Sequence, residues 1–211
     1  LVITGKGRGF CSGGDVDGII GALFECDTRD VVEFTRMTGE VIENLRRLDR
    51  PVIAAINGIA AGAGAVIALA CDLRVMGEGT KFAFLFSKVG LAGADMGAAY
   101  LLPRVVGLGR ATEILYLGDP VEASAALAMG LANRVVPRDQ VLAEATALAR
   151  RLADGPTFAL GMTKRLLVHE ASMDLASAIE VEAVAQALLL RAKDHRHFYD
   201  AYKAGRPAAF E

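Results

Sequence analysis

Short apolar runs separated by glycine-containing turns make up the first part of the chain. Several of these runs are rich in β-branched residues, and each has the length of a strand between turn signals. In one of them, the two-residue period of a strand would place Phe82, Phe84 and Phe86 on the same side. The pattern predicts strands at residues 1–4, 52–56, 71–76, 81–86 and 132–136.

Helical patterns lie between these runs. Asp30, with Glu33 three residues later, is expected to cap a helix whose apolar positions continue to Leu48 and which Pro51 ends. Residues 16–28 have mixed polarity, and Gly18 and Gly21 are expected to interrupt any helix there. Further helices are predicted at residues 65–70, 98–102, 110–117 and 123–129. Pro103 and Gly107 are expected to end the helix at 98–102 before the next one begins at residue 110.

The last third of the chain shows helical patterns only. Helices are predicted at residues 139–153, 156–169, 174–192 and 194–204. The change near Pro137 predicts two regions, a mixed α/β core at residues 1–137 and a helical region at residues 138–211. Residues 183–190 are apolar nearly all round, which is typical of a helix buried between subunits.

Composition and charge narrow the classes of partner. The 23 basic and 25 acidic residues give a net charge of −2 with no basic run, which argues against nucleic acid as a partner. A hydrophobic fraction of 53% suggests contacts with other subunits. The three cysteines do not have the spacing of metal ligands, and their odd number argues against a framework of disulfide bonds. We therefore expect the protein to lie in a reducing compartment, the cytoplasm. No apolar run has the length of a membrane span.

Two glycine-rich loops carry the candidate chemistry. One, Ala60-Ala61-Gly62-Ala63-Gly64, precedes an apolar helix, where unpaired N–H groups and the helix dipole favour negative charge. The other, Phe10-Cys11-Ser12-Gly13-Gly14-Asp15-Val16, follows the first strand. Two such loops after two strands suggest a pair of backbone donors that converge on one oxygen atom. The alternative is that the glycines only permit tight turns.

These motifs, FCSGGDV and NGIAAGAGAVIALACDLRV, together with VGLAGADMGAAYLLPRVVG, MGLANRVVP and AYKAGRPAAF, resemble the crotonase superfamily, also called the enoyl-CoA hydratase/isomerase family. The resemblance covers essentially the whole chain. It implies a crotonase-type spiral of ββα units followed by an all-helical oligomerisation region, and a homotrimer or hexamer. It also implies a coenzyme A thioester as substrate, with no other cofactor and no metal. Strands that the family carries before residue 1 are expected to be missing from this sequence.

The resemblance assigns roles to individual residues. The backbone N–H groups of Gly14 and Ala63 would hold the thioester oxygen of an acyl-CoA, and Ser12, Asp15, Val16 and Asp17 would lie along the substrate by backbone contact. Ile19, Ile20, Leu23 and Phe24 are candidates for the lining of the acyl pocket.

The acid and base depart from the family pattern. The positions of the two glutamates of a hydratase hold Val66 and Phe86, which cannot move a proton. Asp95 lies in the loop where isomerases of the superfamily carry their acid, although it could instead cap the helix that follows. The sequence therefore favours a double-bond isomerase that uses Asp95. The alternatives are a hydratase with a non-standard acid and base, and a non-catalytic acyl-CoA-binding or assembly protein.

Overall fold

Seven short strands form two sheets in the computed structural model, which describes residues 1–210. They are β1 (Val2–Thr4), β2 (Ile53–Ile56), β3 (Ala60–Ala61), β4 (Leu73–Gly77), β5 (Lys81–Ala83), β6 (Val121–Glu122) and β7 (Arg134–Val136). One sheet has the order β1-β2-β4-β7, and all its strands are parallel. In the other, β5 lies between β3, which is parallel to it, and β6, which is antiparallel.

Helices connect and follow these strands. They are α1 (Gly21–Leu23), α2 (Thr28–Arg47), α3 (Ala63–Ala70), α4 (Ala98–Val106), α5 (Leu108–Leu117), α6 (Ala123–Ala128), α7 (Val141–Ala153), α8 (Thr157–Glu170), α9 (Leu175–Leu190) and α10 (Lys193–Lys203). A π-helical turn, Val16–Ile20, precedes α1, and 3₁₀ turns occur at Leu85–Val89 and Arg138–Gln140. The expected mixed α/β architecture with a helical C-terminal part is confirmed.

Contacts between residues divide the chain into two units. One consists of Val2–Arg46 and Val52–Ala145, and it contains both sheets. All four residues of β2 are buried, and the rings of Phe82 and Phe84 stack with their centroids 6.1 Å apart. A strand in the middle of a parallel sheet is covered on both faces, which explains its continuous apolar sequence.

The other unit consists of Leu1, Arg47–Pro51 and residues 146–210. Here α8 lies directly against the backbone of Arg47–Pro51, because a Cβ atom at Gly161 would collide with the carbonyl oxygen of Asp49. The buried Lys164 Nζ donates a hydrogen bond of 3.1 Å to the carbonyl oxygen of Arg50. The predicted regions 1–137 and 138–211 stay a prediction.

The start of α2 and the end of α4 differ from the expectation. Helix α2 begins at Thr28, and its cap is Asp27, whose Oδ1 accepts hydrogen bonds from the N–H groups of Arg29 (2.8 Å) and Asp30 (3.0 Å). Asp30 is therefore in the first turn and does not cap the helix. Helix α4 continues through Pro103 to Val106, because burial of Leu102 and Val106 outweighs the backbone hydrogen bond that proline cannot donate.

Two segments also adopt a different secondary structure. The strand predicted at residues 81–86 ends at Ala83, and Phe86 is buried on the following 3₁₀ turn. Residues 16–23 are helical although they contain Gly18 and Gly21. The carboxylate of Asp15 accepts a hydrogen bond from the N–H of Gly18 and caps this segment. A local side-chain bond thus favours the helical turn that the glycines alone would disfavour.

Candidate active site

The two glycine-rich loops lie side by side and are joined by backbone hydrogen bonds. We call residues 10–14 the first donor loop and residues 59–64 the second donor loop. The N–H groups of Phe10 and Cys11 donate to the carbonyl oxygen of Ile59, at 3.0 and 3.2 Å, and the N–H of Ala61 donates to that of Cys11 at 2.8 Å. Cys11 and Ala60 form a parallel bridge. The structure therefore brings together the two loops that the sequence predicts to converge.

Glycine is required where the loops touch. A Cβ atom at Gly64 would collide with the carbonyl oxygen of Cys11 and lie 2.6 Å from the Cβ atom of Cys11. Gly13 has a φ of +98°, and a Cβ atom there would lie 3.5 Å from the amide nitrogen of Ala63. Gly62 has a φ of +52° and a ψ of −125°, a conformation that residues with a side chain rarely adopt. These glycines permit both the sharp turns and the close approach of the two backbones.

The predicted donors have free N–H groups. Ala63 is the first residue of α3, and Gly62 before it donates to the carbonyl oxygen of Ala83 at 2.9 Å. Within residues 1–210, the N–H groups of Gly14 and Ala63 donate to no protein acceptor. Ala63 is half-buried and Gly14 is exposed. Free donors at a helix N-terminus favour an oxygen that carries negative charge.

The other predicted substrate-contacting residues surround Gly14. Ser12, Asp15, Val16 and Asp17 are all exposed, and Val16 exposes 73% of its surface although it is apolar. The side chain of Ile20 reaches within 3.4 Å of the position that a Cβ atom of Gly14 would occupy. The helical turn that Asp15 caps therefore places an apolar side chain next to the first donor. Contact of these residues with a substrate stays a prediction.

The two positions to which the resemblance assigns the glutamates of a hydratase are apolar and buried. Val66 lies on α3 with none of its surface exposed, and Phe86 exposes 7%. Both belong to the main hydrophobic cluster, which also contains Phe82 and Phe84. Neither side chain can accept or donate a proton.

Asp95 is held on a separate tight turn before α4. The carbonyl oxygen of Asp95 accepts a hydrogen bond of 2.8 Å from the N–H of Ala98, and the residues between them, Met96 and Gly97, have φ values of +49° and +86°. The carboxylate accepts the N–H of Met96 at 2.8 Å. The residue at the cap of α4 is Gly97, so the expectation that Asp95 caps this helix is wrong.

Met96 is the non-glycine residue with positive φ in residues 1–210, a conformation that is uncommon for a side chain of this size. Its side chain packs against the hydrophobic cluster, and this packing holds the strained turn. Asp95 is half-buried, and within the described residues its side chain forms no hydrogen bond with either donor loop.

Arg74 is a residue of the site region that the sequence did not identify. It is buried, its Nε donates to the carbonyl oxygen of Leu131 at 2.6 Å, and its Nη1 donates to those of Cys71 (2.6 Å) and Leu69 (3.3 Å). Burial is the main cause that lowers the pKa of Arg74 from its ordinary value. Arg74 thus fixes the C-terminal end of α3, the helix whose first residue is Ala63. The sequence shows only an arginine within an apolar strand, and nothing in that pattern indicates that it binds the end of α3.

Residues 1–210 contain no group of three His, Cys, Asp or Glu side chains placed to hold a metal ion. None of the helices in these residues is long and apolar enough to cross a membrane.

Known proteins resemble this chain over its whole length. A family model for "Enoyl-CoA hydratase/isomerase" matches residues 1–211. The chain is 37% identical to 1,2-epoxyphenylacetyl-CoA isomerase of Escherichia coli K12, over all of this chain and 80% of the relative. It is 30% identical to crotonyl-CoA hydratase of Syntrophomonas wolfei, over all of this chain and 79% of the relative.

Solved structures share the fold. One from Streptomyces coelicolor A3(2), provisionally assigned as an enoyl-CoA hydratase, is 54% identical with a TM-score of 0.98, over all of this chain and 77% of that one. The enoyl-CoA hydratase of Bacillus anthracis is 30% identical with a TM-score of 0.92, over 99% of this chain and 80% of that one.

Proposed function

Because the chain belongs to the enoyl-CoA hydratase/isomerase family, we propose that it binds an acyl-CoA and holds the thioester oxygen with the N–H groups of Gly14 and Ala63. The observation that carries this proposal is the pairing of the two donor loops, which leaves both N–H groups without a protein acceptor in residues 1–210. Negative charge develops on the thioester oxygen when a proton leaves the neighbouring carbon. Two fixed donors stabilise that charge, and the loss of one typically costs about 3–4 kcal/mol of transition-state stabilisation.

For the reaction, we propose double-bond isomerisation with Asp95 as the group that moves the proton. The carboxylate of Asp95 would take a proton from C2 of a 3-enoyl-CoA, and the electron pair of the broken C–H bond would extend through the alkene and thioester as a dienolate. Asp95 would then return the proton to C4, so the double bond moves to C2–C3 and the carboxylate is regenerated. The apolar residues Val66 and Phe86 favour this single-acid scheme over hydration by two glutamates.

Two alternatives have specific support. A hydratase with a different acid and base is supported by the crotonyl-CoA hydratase of Syntrophomonas wolfei among the relatives. A non-catalytic acyl-CoA-binding or assembly protein is supported by the absence of a titratable side chain at both Val66 and Phe86.

Isotope labelling separates these functions. The protein is incubated with 3-hexenoyl-CoA or 2-hexenoyl-CoA in water that contains deuterium and oxygen-18, and the products are analysed by mass spectrometry. Deuterium without oxygen-18, with the double bond moved, is the result that we expect for an isomerase. Addition of labelled water across the double bond, with oxygen-18 on C3 and deuterium on C2, would identify a hydratase. Bound but unlabelled CoA ester, across a panel of acyl lengths, would identify a binding protein.

The role of Asp95 is tested by Asp95→Asn, which keeps the size of the side chain and removes its basicity. We expect turnover to fall by about 100-fold or more, with acyl-CoA affinity nearly unchanged. Asp154→Asn, a change at an exposed residue directly after α7, is the control. Unchanged turnover in Asp95→Asn would remove Asp95 from the mechanism.

We also propose that the protein is a homotrimer or hexamer that works in the cytoplasm. The supporting observation for assembly is α9, on which Ile179, Val184 and Leu188 each expose more than half of their surface. Light scattering after size-exclusion chromatography gives the mass, and a monomer at micromolar concentration would contradict the proposal.

A further inference from the structure

The loop before the first donor loop is fixed by side chains from two distant parts of the chain. This approach loop, residues 5–9, carries three glycines that give it little stability of its own. Asn57 Nδ2 donates to the carbonyl oxygens of Gly5 (3.1 Å) and Gly7 (3.0 Å), and Asn57 Oδ1 accepts the N–H of Gly5 at 3.2 Å. One amide side chain therefore fills three hydrogen-bonding positions of the approach loop.

Arg138 also binds the approach loop, together with the segment that contains Asn57. It follows β7, and its Nε donates to the carbonyl oxygen of Asn57 at 2.7 Å, while its Nη2 donates to that of Arg8. The guanidinium is planar and has its donors in a fixed fork, so it holds the two carbonyl groups at a defined separation. Arg138 is thus a bridge between the approach loop and the segment that leads into the second donor loop.

The contact that Arg138 bridges is very close. A Cβ atom at Gly58 would collide with the carbonyl oxygen of Arg8 and lie 2.7 Å from the Cα atom of Gly9. The hydrogen bonds from Phe10 and Cys11 to Ile59 begin immediately after this point. The backbone ladder continues from there towards Gly14 in one loop and Ala63 in the other.

We propose that Arg138 is a positioning residue that sets the spacing between the Gly14 and Ala63 N–H groups, by fixing the start of the ladder that joins the donor loops. The inference rests on the proposed function of those N–H groups. Arg138 itself is exposed and touches neither donor. Its effect comes from alignment, since a misplacement of about 1 Å can lower the rate by about 100-fold.

Three variants test the proposal. Arg138→Ala removes both hydrogen bonds, and Arg138→Lys keeps a cation that can reach one carbonyl group. Arg104→Ala is the matched control, because Arg104 is also exposed and also donates to a backbone carbonyl oxygen, that of Tyr100 at 2.7 Å within α4. A thermal melting curve of each variant shows the temperature at which unfolding begins, and all other measurements are made below that temperature.

Two readouts separate positioning from stability. The first is turnover of 3-hexenoyl-CoA: we expect Arg138→Ala to lower kcat about 10- to 100-fold with KM changed by less than about threefold, and Arg138→Lys to recover part of the loss. The second is the infrared stretch of butanoyl-CoA that carries carbon-13 at its carbonyl. Two aligned donors lower the frequency of the bound carbonyl group, and we expect a smaller lowering in Arg138→Ala and no change in Arg104→Ala.

The outcomes distinguish the two levels of the inference. If the unmodified protein lowers the carbonyl frequency and Arg138→Ala does so equally, with the same kcat, the positioning role is wrong and the proposed function stands. A lower melting temperature with an unchanged carbonyl frequency would make Arg138 a purely structural residue and would also overturn the proposal. If the unmodified protein binds the CoA ester without any frequency shift, the proposed function of Gly14 and Ala63 fails, and the positioning role fails with it.

Discussion

Replacement of Gly64 by alanine adds one methyl group at the point where the donor loops touch. The added Cβ atom would collide with the carbonyl oxygen of Cys11 and lie 2.6 Å from the Cβ atom of that residue. Carbon atoms in normal contact are about 3.5–4.0 Å apart, so the loops must separate by about 1 Å. The backbone conformation of Gly64 is one that alanine also adopts, so the only unfavourable effect of the substitution is the collision.

The expected magnitude combines two opposing effects. Overpacking in a buried site costs about 1–3 kcal/mol, whereas alanine in place of glycine within a helix contributes about 0.5–1 kcal/mol of stability. We therefore expect Gly64→Ala to lower the free energy of unfolding by about 1–2 kcal/mol. A separation of about 1 Å between the donor loops also predicts a fall in kcat of about 100-fold.

Gly39 provides a control with the same chemical change. It lies within α2, and a Cβ atom there would have no neighbour within 4 Å. We expect Gly39→Ala to raise the free energy of unfolding by about 0.5–1 kcal/mol and to leave kcat unchanged. Urea unfolding followed by circular dichroism measures the stability of both variants. A Gly64→Ala protein as stable and as active as the unmodified one would show that α3 tolerates the methyl group and would refute the reasoning.

Three further substitutions test other contacts. Arg74→Leu leaves three buried carbonyl groups without their donor, and we expect urea unfolding to show a loss of about 3 kcal/mol or more; a loss below about 1 kcal/mol would contradict this. Asp27→Ala removes the cap of α2 and should cost about 1 kcal/mol by the same measurement, whereas Asp30→Ala should cost clearly less; equal losses would contradict the assignment of the cap. The backbone N–H of Ser177 lowers the pKa of Asp174, so this carboxylate stabilises the fold above its ordinary pKa, and the stabilisation is lost as the pH falls through the lowered value. At neutral pH, Asp174→Ala should therefore melt at a lower temperature than the unmodified protein, and this difference should shrink below about pH 4. A difference that stays the same at all pH values would refute the role.

Local patterns predicted most elements of the fold, and the errors have physical causes. The strand-like period of Phe82, Phe84 and Phe86 continued past the end of β5, because a buried 3₁₀ turn also requires apolar side chains. Pro103 is a helix breaker by its local chemistry, but packing of α4 overrides that preference. Asp30 was predicted as the cap of α2, but hydrogen-bond geometry shows that the cap is Asp27, three residues earlier.

The proximity of the two donor loops was predictable because it depends on backbone conformation. Gly13, Gly62 and Gly64 are required by left-handed angles or close contact, and such requirements leave a visible glycine pattern in the sequence. The bonds from Arg74 to Leu131 and from Arg138 to Asn57 join residues that are distant in sequence, and an arginine has no pattern that reveals which carbonyl groups it will reach. Interactions of this kind are found only when the fold is known.

The proposed donors of this site are main-chain groups, and this has a consequence for how the protein can change during evolution. Every amino acid except proline supplies an N–H group, so a substitution at residue 14 or residue 63 need not remove the donor itself. Side chains that move protons have no such protection, since one codon change eliminates them. A lineage can therefore keep the means to stabilise an enolate while it loses one proton-transferring residue and recruits another elsewhere.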